Sequence, residues 1–236
     1  MNKKYLDRLR RKHGLLRLTR EAKKDFQRVL LVLHWVHSQW RHSGNEEPKK
    51  NDALSILEEA KQGKNFRCVE YGIVAAGCLN SIGLKTRRIA LKTRDVETRE
   101  SGAGHVAAES FLNDLKKWIF LDPQWDIVPM LAGVPLNAVE FQKAIAKNCR
   151  DLEIESLSKA DKVSYIDWIY PYLYYMDVSF DNRAMIRKTK PGQKSKLMLV
   201  PIGAKEPKLF QRKFKIDYCH YTSSLADFYS VPYPSV

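Results

Sequence analysis

The chain has 236 residues, 44% apolar and 29% charged, a composition that suits a soluble globular protein with a real hydrophobic centre rather than a disordered or membrane-embedded one. Forty-one basic residues against 27 acidic ones give a formal charge of +14, which fits an acidic partner or, more simply, a solvated basic surface. No zinc-finger spacing, RNP-type aromatic motif or Gly-rich phosphate loop accompanies that charge, so nucleic acid is disfavoured as a partner.

The opening MNKKYLDRLRRKHGLLRLTREAKK is basic but lacks the apolar core and small-residue cleavage site of a signal peptide. VLLVLHWV is far too short to span a bilayer, so a cytoplasmic location without a membrane span is expected. Thr19 followed by REAKK reads as a helix start. Ala22, Phe26, Val29, Leu30, Leu33, Val36 and Trp40 then recur at helical spacing and predict one buried face. A polar break with Gly44 and Pro48 leads to a second helix, capped by Asn51 or Asp52, with Leu54, Ile56, Leu57 and Ala60 on its apolar side.

From Cys68 to Ile82 the chain is apolar except for Glu70 and Asn80, too long for an ordinary strand, and Gly83 supplies a helix stop. A helix buried on most sides is predicted, with a cysteine in its first turn. KTRRIALKT reads as a strand, RDVETRESGAG as a loop, and HVAAESFL and KWIFLD as a hairpin about NDLK. Beyond Pro123, VEFQKAIAKN predicts a helix, and the aromatic-rich KVSYIDWIYPYLYYMDVSF is strand-prone past Pro171. KLMLVPIG and KLFQRKFKIDY predict further strands. The division expected is a core over 1–150 with an aromatic-rich β extension over 151–236, packed on the same core.

The four cysteines, Cys68, Cys78, Cys149 and Cys219, make no CxxC pair and read as free thiols in a reducing compartment. Cys78 lies inside the apolar helix as a small core residue, and Cys149 and Cys219 have no partner in sequence. Cys68 differs by its place. A helix N-terminus favours a thiolate through its dipole and free N–H groups, and a thiolate is the nucleophilic form. A base is then required, together with something to orient it.

His105 opens the first hairpin strand and Asp122 closes the second, so folding the hairpin brings them together. Pairing Phe111 with Lys116 sets His105 opposite Asp122. Pairing Leu112 with Lys117 sets Ala107 opposite Asp122 and leaves His105 a diagonal neighbour on the same face. A slip of one residue separates the two. Taken singly, each residue has a bland reading: a packing cysteine, a satisfied strand histidine, an aspartate starting a turn before proline. Taken together, Cys68 as nucleophile, His105 as base and Asp122 as orienting acid form the order Cys, His, Asp of papain-like enzymes.

FRCVEYGIVAAGCLNSIGLKTRRIAL and GHVAAESFLNDLKKWIFLDPQWD, with the helices before them, resemble the transglutaminase-like core of the papain-like cysteine enzymes over roughly residues 20–130. The matching features are Cys68 opening a buried helix, the exit Ser81–Leu84, Gly104–His105 at a strand start, and Trp118 through Asp122–Pro123 at a strand end. The resemblance implies an α+β fold with the nucleophile helix on an antiparallel sheet. It also implies a Cys68–His105–Asp122 triad acting on peptide or protein amides through a thioester, without a cofactor or metal. Two features depart from the pattern: Phe66-Arg67 precedes the cysteine where many members carry a glycine nearby, and Val106-Ala107-Ala108 replaces the common Ala-Trp after the histidine.

An oxyanion would take the backbone N–H of Cys68. Gln62, six residues earlier, has the spacing of the side-chain donor in papain-type proteases, or is an exposed helix-end residue. Gln39, Trp35 and Trp40 are further candidates to face the cleft. Glu70, two residues past the cysteine, is similar to peptide:N-glycanases, which keeps that substrate class open beside a purely structural role. Hydrolysis is expected over cross-linking, since water is always available. The rival reading from another class is a non-catalytic binding module that uses the same fold and a basic surface for acidic partners.

Overall fold

The structure, a computed structural model, describes residues 3–181 and 193–230. Helices α1 (Lys3–Lys12), α2 (Leu15–Leu18), α3 (Asp25–His37) and α4 (Ala53–Lys61) lead to α5 (Cys68–Ser81). Strands β1 (Thr86–Lys92), β2 (Gly104–Leu112) and β3 (Lys117–Leu121) follow, then β4 (Val128–Leu131) and β5 (Val134–Pro135). After α6 (Ala138–Ala146) and β6 (Leu152–Glu155) come α7 (Lys162–Ile169), β7 (Tyr175–Ser179), β8 (Lys196–Leu199), β9 (Leu209–Phe210), β10 (Phe214–Lys215), β11 (Cys219–Thr222) and α8 (Leu225–Ser230).

The fold is α+β. Six strands form one sheet in the order β11-β8-β7-β1-β2-β3, antiparallel at every junction except β11 with β8. Strands from beyond residue 150 thus extend the sheet that carries the hairpin. Helix α5 packs on β1 and β2 and is itself surrounded by α1, α3 and α4. That double cover explains why its sequence is apolar all round, since a helix with no solvent face has no use for a polar stripe. Tyr71, Val74, Ala75, Cys78 and Leu79 are all sealed in the core it shares with Val29, Leu33 and Val36 of α3.

Both ends of α5 are set by local chemistry. At its start, Glu70 Oε2 accepts the backbone N–H of Arg67 at 3.1 Å, and the Arg67 guanidinium donates to the same carboxylate. An acid in the first turn satisfies a free donor and suits the helix dipole, so the helix begins at Cys68. At its end, Gly83 takes φ +89° after Ile82, a conformation that glycine adopts without steric cost.

One boundary differs from the sequence reading. Thr19 does not start a helix: it closes α2, its Oγ1 donating to Leu15 O at 3.0 Å. Helix α3 begins at Asp25 because the Gln27 side chain reaches back to accept the N–H groups of Lys23 and Lys24. Asp52 caps α4 as expected, accepting from Ser55 N–H at 3.1 Å. Among the described residues no helix is long and apolar enough to cross a membrane.

Candidate active site

Cys68 stands at the first position of α5, half-buried, and the close approach of this helix to β2 carries it to the strand start. Gly72 is where that approach is tightest. A Cβ there would lie 3.0 Å from Val106 Cγ1 and 3.3 Å from the Ala107 carbonyl oxygen. Only glycine lets helix and strand meet so closely one turn beyond the thiol. The sulfur is near enough to the His105 ring to help hold its proton.

The hairpin adopts the register that pairs Leu112 with Lys117 and Ala108 with Leu121. Ala107 therefore faces Asp122, and His105 is its diagonal neighbour on the same face. His105 Nε2 and Asp122 Oδ2 are 2.8 Å apart. With Nε2 engaged there, Nδ1 is the nitrogen left for the thiol. Both carboxylate oxygens of Asp122 are held: Oδ2 also accepts the Tyr165 hydroxyl at 3.1 Å, and Oδ1 accepts the Gln124 backbone N–H at 3.0 Å. A carboxylate with all these donors cannot swing away from the ring.

His105 is 3% exposed and Asp122 fully buried. Burial alone would disfavour a charged imidazole. The Asp122 charge and hydrogen bond, with a further contribution from Cys68, outweigh it and push the ring up to about 10. The arrangement can therefore hold a proton on the ring beside the sulfur across the neutral range.

A wall of the site comes from α7, which the sequence reading left unassigned. Trp168 meets the His105 ring edge-on at 4.9 Å, Tyr172 lies 6.1 Å away, and Tyr165 bonds Asp122. The signal was present as aromatics at helical spacing behind Asp161, which caps the helix through Ser164 N–H at 2.8 Å.

Gln62 is the exposed C-cap of α4, its backbone N–H bonded to Glu59 O at 3.1 Å. Gln39 donates to Trp35 O, and Trp35 packs against His13. Trp40 is buried, with its ring 4.4 Å from that of Tyr71, and among the described residues its indole N–H has no hydrogen-bond partner. Glu70 holds Arg67, as described above. Burial pushes the Cys78 thiol far above its ordinary range and Cys219 up to about 12, and Cys149 is half-buried. A cavity of about 790 Å³ lies beside the site, lined in part by Trp40, His42, Tyr71, Gln124 and Trp125. Among the described residues no cluster of His, Cys, Asp and Glu has the geometry to hold a metal ion.

Residues 14–123 match the family model of the transglutaminase-like superfamily. The match covers just under half of the chain. It spans α2 to α4, the cysteine helix and the hairpin through Pro123. Among solved structures, the chain is similar to a candidate cysteine protease from Cytophaga hutchinsonii, at 10% identity and TM-score 0.41 over 64% of this chain and 47% of that one. It is also similar to a TGase, at 18% identity and TM-score 0.37 over 50% of this chain and 31% of that one. A candidate protease from Parabacteroides distasonis gives 14% identity and TM-score 0.36 over 50% of this chain and 26% of that one. The chain thus spans about half the length of the first of these structures and less of the others. No curated protein matches it.

Proposed function

We propose that the protein is a cysteine enzyme that hydrolyses a peptide or protein amide through a thioester on Cys68, with His105 as acid and base and Asp122 as the orienting acid. The observation that carries this reading is the His105 ring 2.8 Å from a fully held carboxylate, at the strand start that faces the N-terminus of the Cys68 helix, with the sulfur helping to hold the ring's proton. The match of residues 14–123 to the family model of the transglutaminase-like superfamily supports it.

In the first half-reaction the sulfur attacks the amide carbon while the imidazole holds the thiol proton. Negative charge develops on the carbonyl oxygen, for which the Cys68 N–H, unused by the helix at its first position, is a suitable donor. The C–N bond then breaks, the amine leaves with the proton from His105, and the thioester remains. In the second half-reaction His105 takes a proton from water, hydroxide adds to the thioester carbon, and the free acid departs as the thiol is restored.

The test is incubation with a peptide library, with and without an added primary amine, read by mass spectrometry. Free-acid products in both conditions, absent with Cys68→Ala, are expected. Amine adducts as the main product would move the reading to acyl transfer. No product under either condition would overturn it in favour of a binding module.

A further inference from the structure

The cavity lined by Tyr71, one turn along α5 from Cys68, and by Gln124, which bonds Asp122, has a property that the chemistry above does not use: its charged lining is of one sign. Among the described residues Arg41 and Lys64 line it and no aspartate or glutamate does, while burial and the nearby His105 push the His42 imidazole in the same wall below its ordinary range. Arg41 is the more available cation. Its backbone N–H is tied to Asn65 Oδ1 at 3.0 Å, its side chain is exposed, and among the described residues no carboxylate lies at ion-pair distance from it. Lys64 instead shares its charge with Glu59 at 2.8 Å.

Arg41 and Lys64 sit on the two backbone segments that meet just before the nucleophile. His42 bridges Phe66 in parallel, and Ser43 N–H donates to Phe66 O at 2.9 Å, two residues before Cys68. The other walls are the rings of Trp40, Tyr71 and Trp125. A cleft with cations of one sign on low-dielectric aromatic walls concentrates its field and raises the local concentration of oppositely charged ligands. Asp122, across the site, is paired with the proton-bearing His105 ring, so the two charges offset each other.

We infer that this cavity is a specificity subsite for an acidic residue next to the scissile amide, with Arg41 its principal recognition residue. The inference rests on the proposed cysteine-enzyme reading and names its substrate class: peptides or proteins with Asp or Glu beside the bond attacked. A neutral carboxamide gains nothing from Arg41, and a lysine at the same place is repelled.

The test compares alkylation of Cys68 by iodoacetate and by iodoacetamide, located by peptide mapping. The ratio of the two rates cancels the intrinsic nucleophilicity of the sulfur and isolates charge selection. Relative to N-acetylcysteine, the ratio should be about tenfold higher at low salt and fall in 0.5 M salt, on the order expected for a focused cationic cleft. Arg41→Glu should reduce this ratio at least about fivefold. Peptidyl chloromethyl ketones carrying Glu, Gln or Lys beside the electrophile should inactivate in that order, with Glu and Lys exchanging places in Arg41→Glu. A ratio equal to that of N-acetylcysteine, or indifferent to Arg41→Glu, overturns the subsite, as does faster inactivation by the Gln reagent. Failure of Cys68 to outpace the other thiols toward iodoacetamide would instead strike the cysteine-enzyme reading, so the two failures are distinguishable.

Discussion

At one end of the β1–β2 ladder, Arg87 lies opposite Glu109; at the other, His105 lies opposite Leu91 and reaches Asp122. Both basic groups are buried and both acids are fully covered. Arg87 donates twice to Glu109 Oε2, at 3.1 and 2.7 Å, and once to Phe228 O, with its guanidinium 4.5 Å from the centre of the Trp118 ring. Glu109 Oε1 accepts the Ala138 N–H and the Tyr229 hydroxyl. Nothing in that cluster is left open, and arginine does not release its proton. The other pair uses a group that can titrate, satisfies its acid completely, and leaves one ring nitrogen outside the pair, on a ring whose proton Cys68 helps to hold. A closed pair locks α6, α8 and the sheet together, whereas a pair with one open valence can move a proton.

The largest expected effect breaks the closed pair. Arg87→Met leaves Glu109 buried without its cation and should cost about 3–5 kcal/mol of stability in denaturant melts. The Cys68 alkylation rate of the folded fraction should not change, and a parallel loss of reactivity would mean that the two ends are not independent.

Asp122→Asn removes the charge that holds the proton on His105. Cys68 alkylation near pH 6.5 should fall by about 10²-fold, in the range of acid–base contributions. Stability responds to pH as well. The folded His105 value lies near 10, above its unfolded value of about 6.5, so its contribution is complete below 6.5 and is lost as pH rises toward 10. Melts of the wild type should lose that increment across this window, and Asp122→Asn should not; equal slopes would show that the ring's proton is not held by the acid.

Gly72→Ala is a smaller perturbation. A methyl 3.0 Å from Val106 and 3.3 Å from a backbone oxygen should force α5 away from β2, costing about 1–3 kcal/mol. The thiol should retreat from the imidazole with it, slowing alkylation. Unchanged stability and unchanged rate would remove the close approach from the account.

The sequence made α5 and the hairpin legible because their signals are local: an uninterrupted apolar run ended by Gly83, and two alternating strands about NDLK. Two registers were compatible with a His–Asp contact, and the choice between them needed the pairing of Leu112 with Lys117. The start of α3 was misread because Gln27 caps it from inside the helix, a reach that no N-terminal signal at Thr19 foretells. The Arg87–Glu109 pair was invisible for another reason. Its members stand on separate strands, and its remaining partners come from α6 and α8, so each charge looks surface-bound when read alone. The same distance in sequence hid Tyr165 and Trp168, which close the site from a segment outside the family match.

The rate of Cys68 alkylation by iodoacetamide as a function of pH, in wild type and His105→Ala, tests the open pair most directly. With the ring charged beside the sulfur, wild-type Cys68 should react at pH 6.5 about a hundred times faster than in the variant and well ahead of Cys78, Cys149 and Cys219. Equal rates in the two proteins, rising together with pH like those of a free thiol, would contradict it.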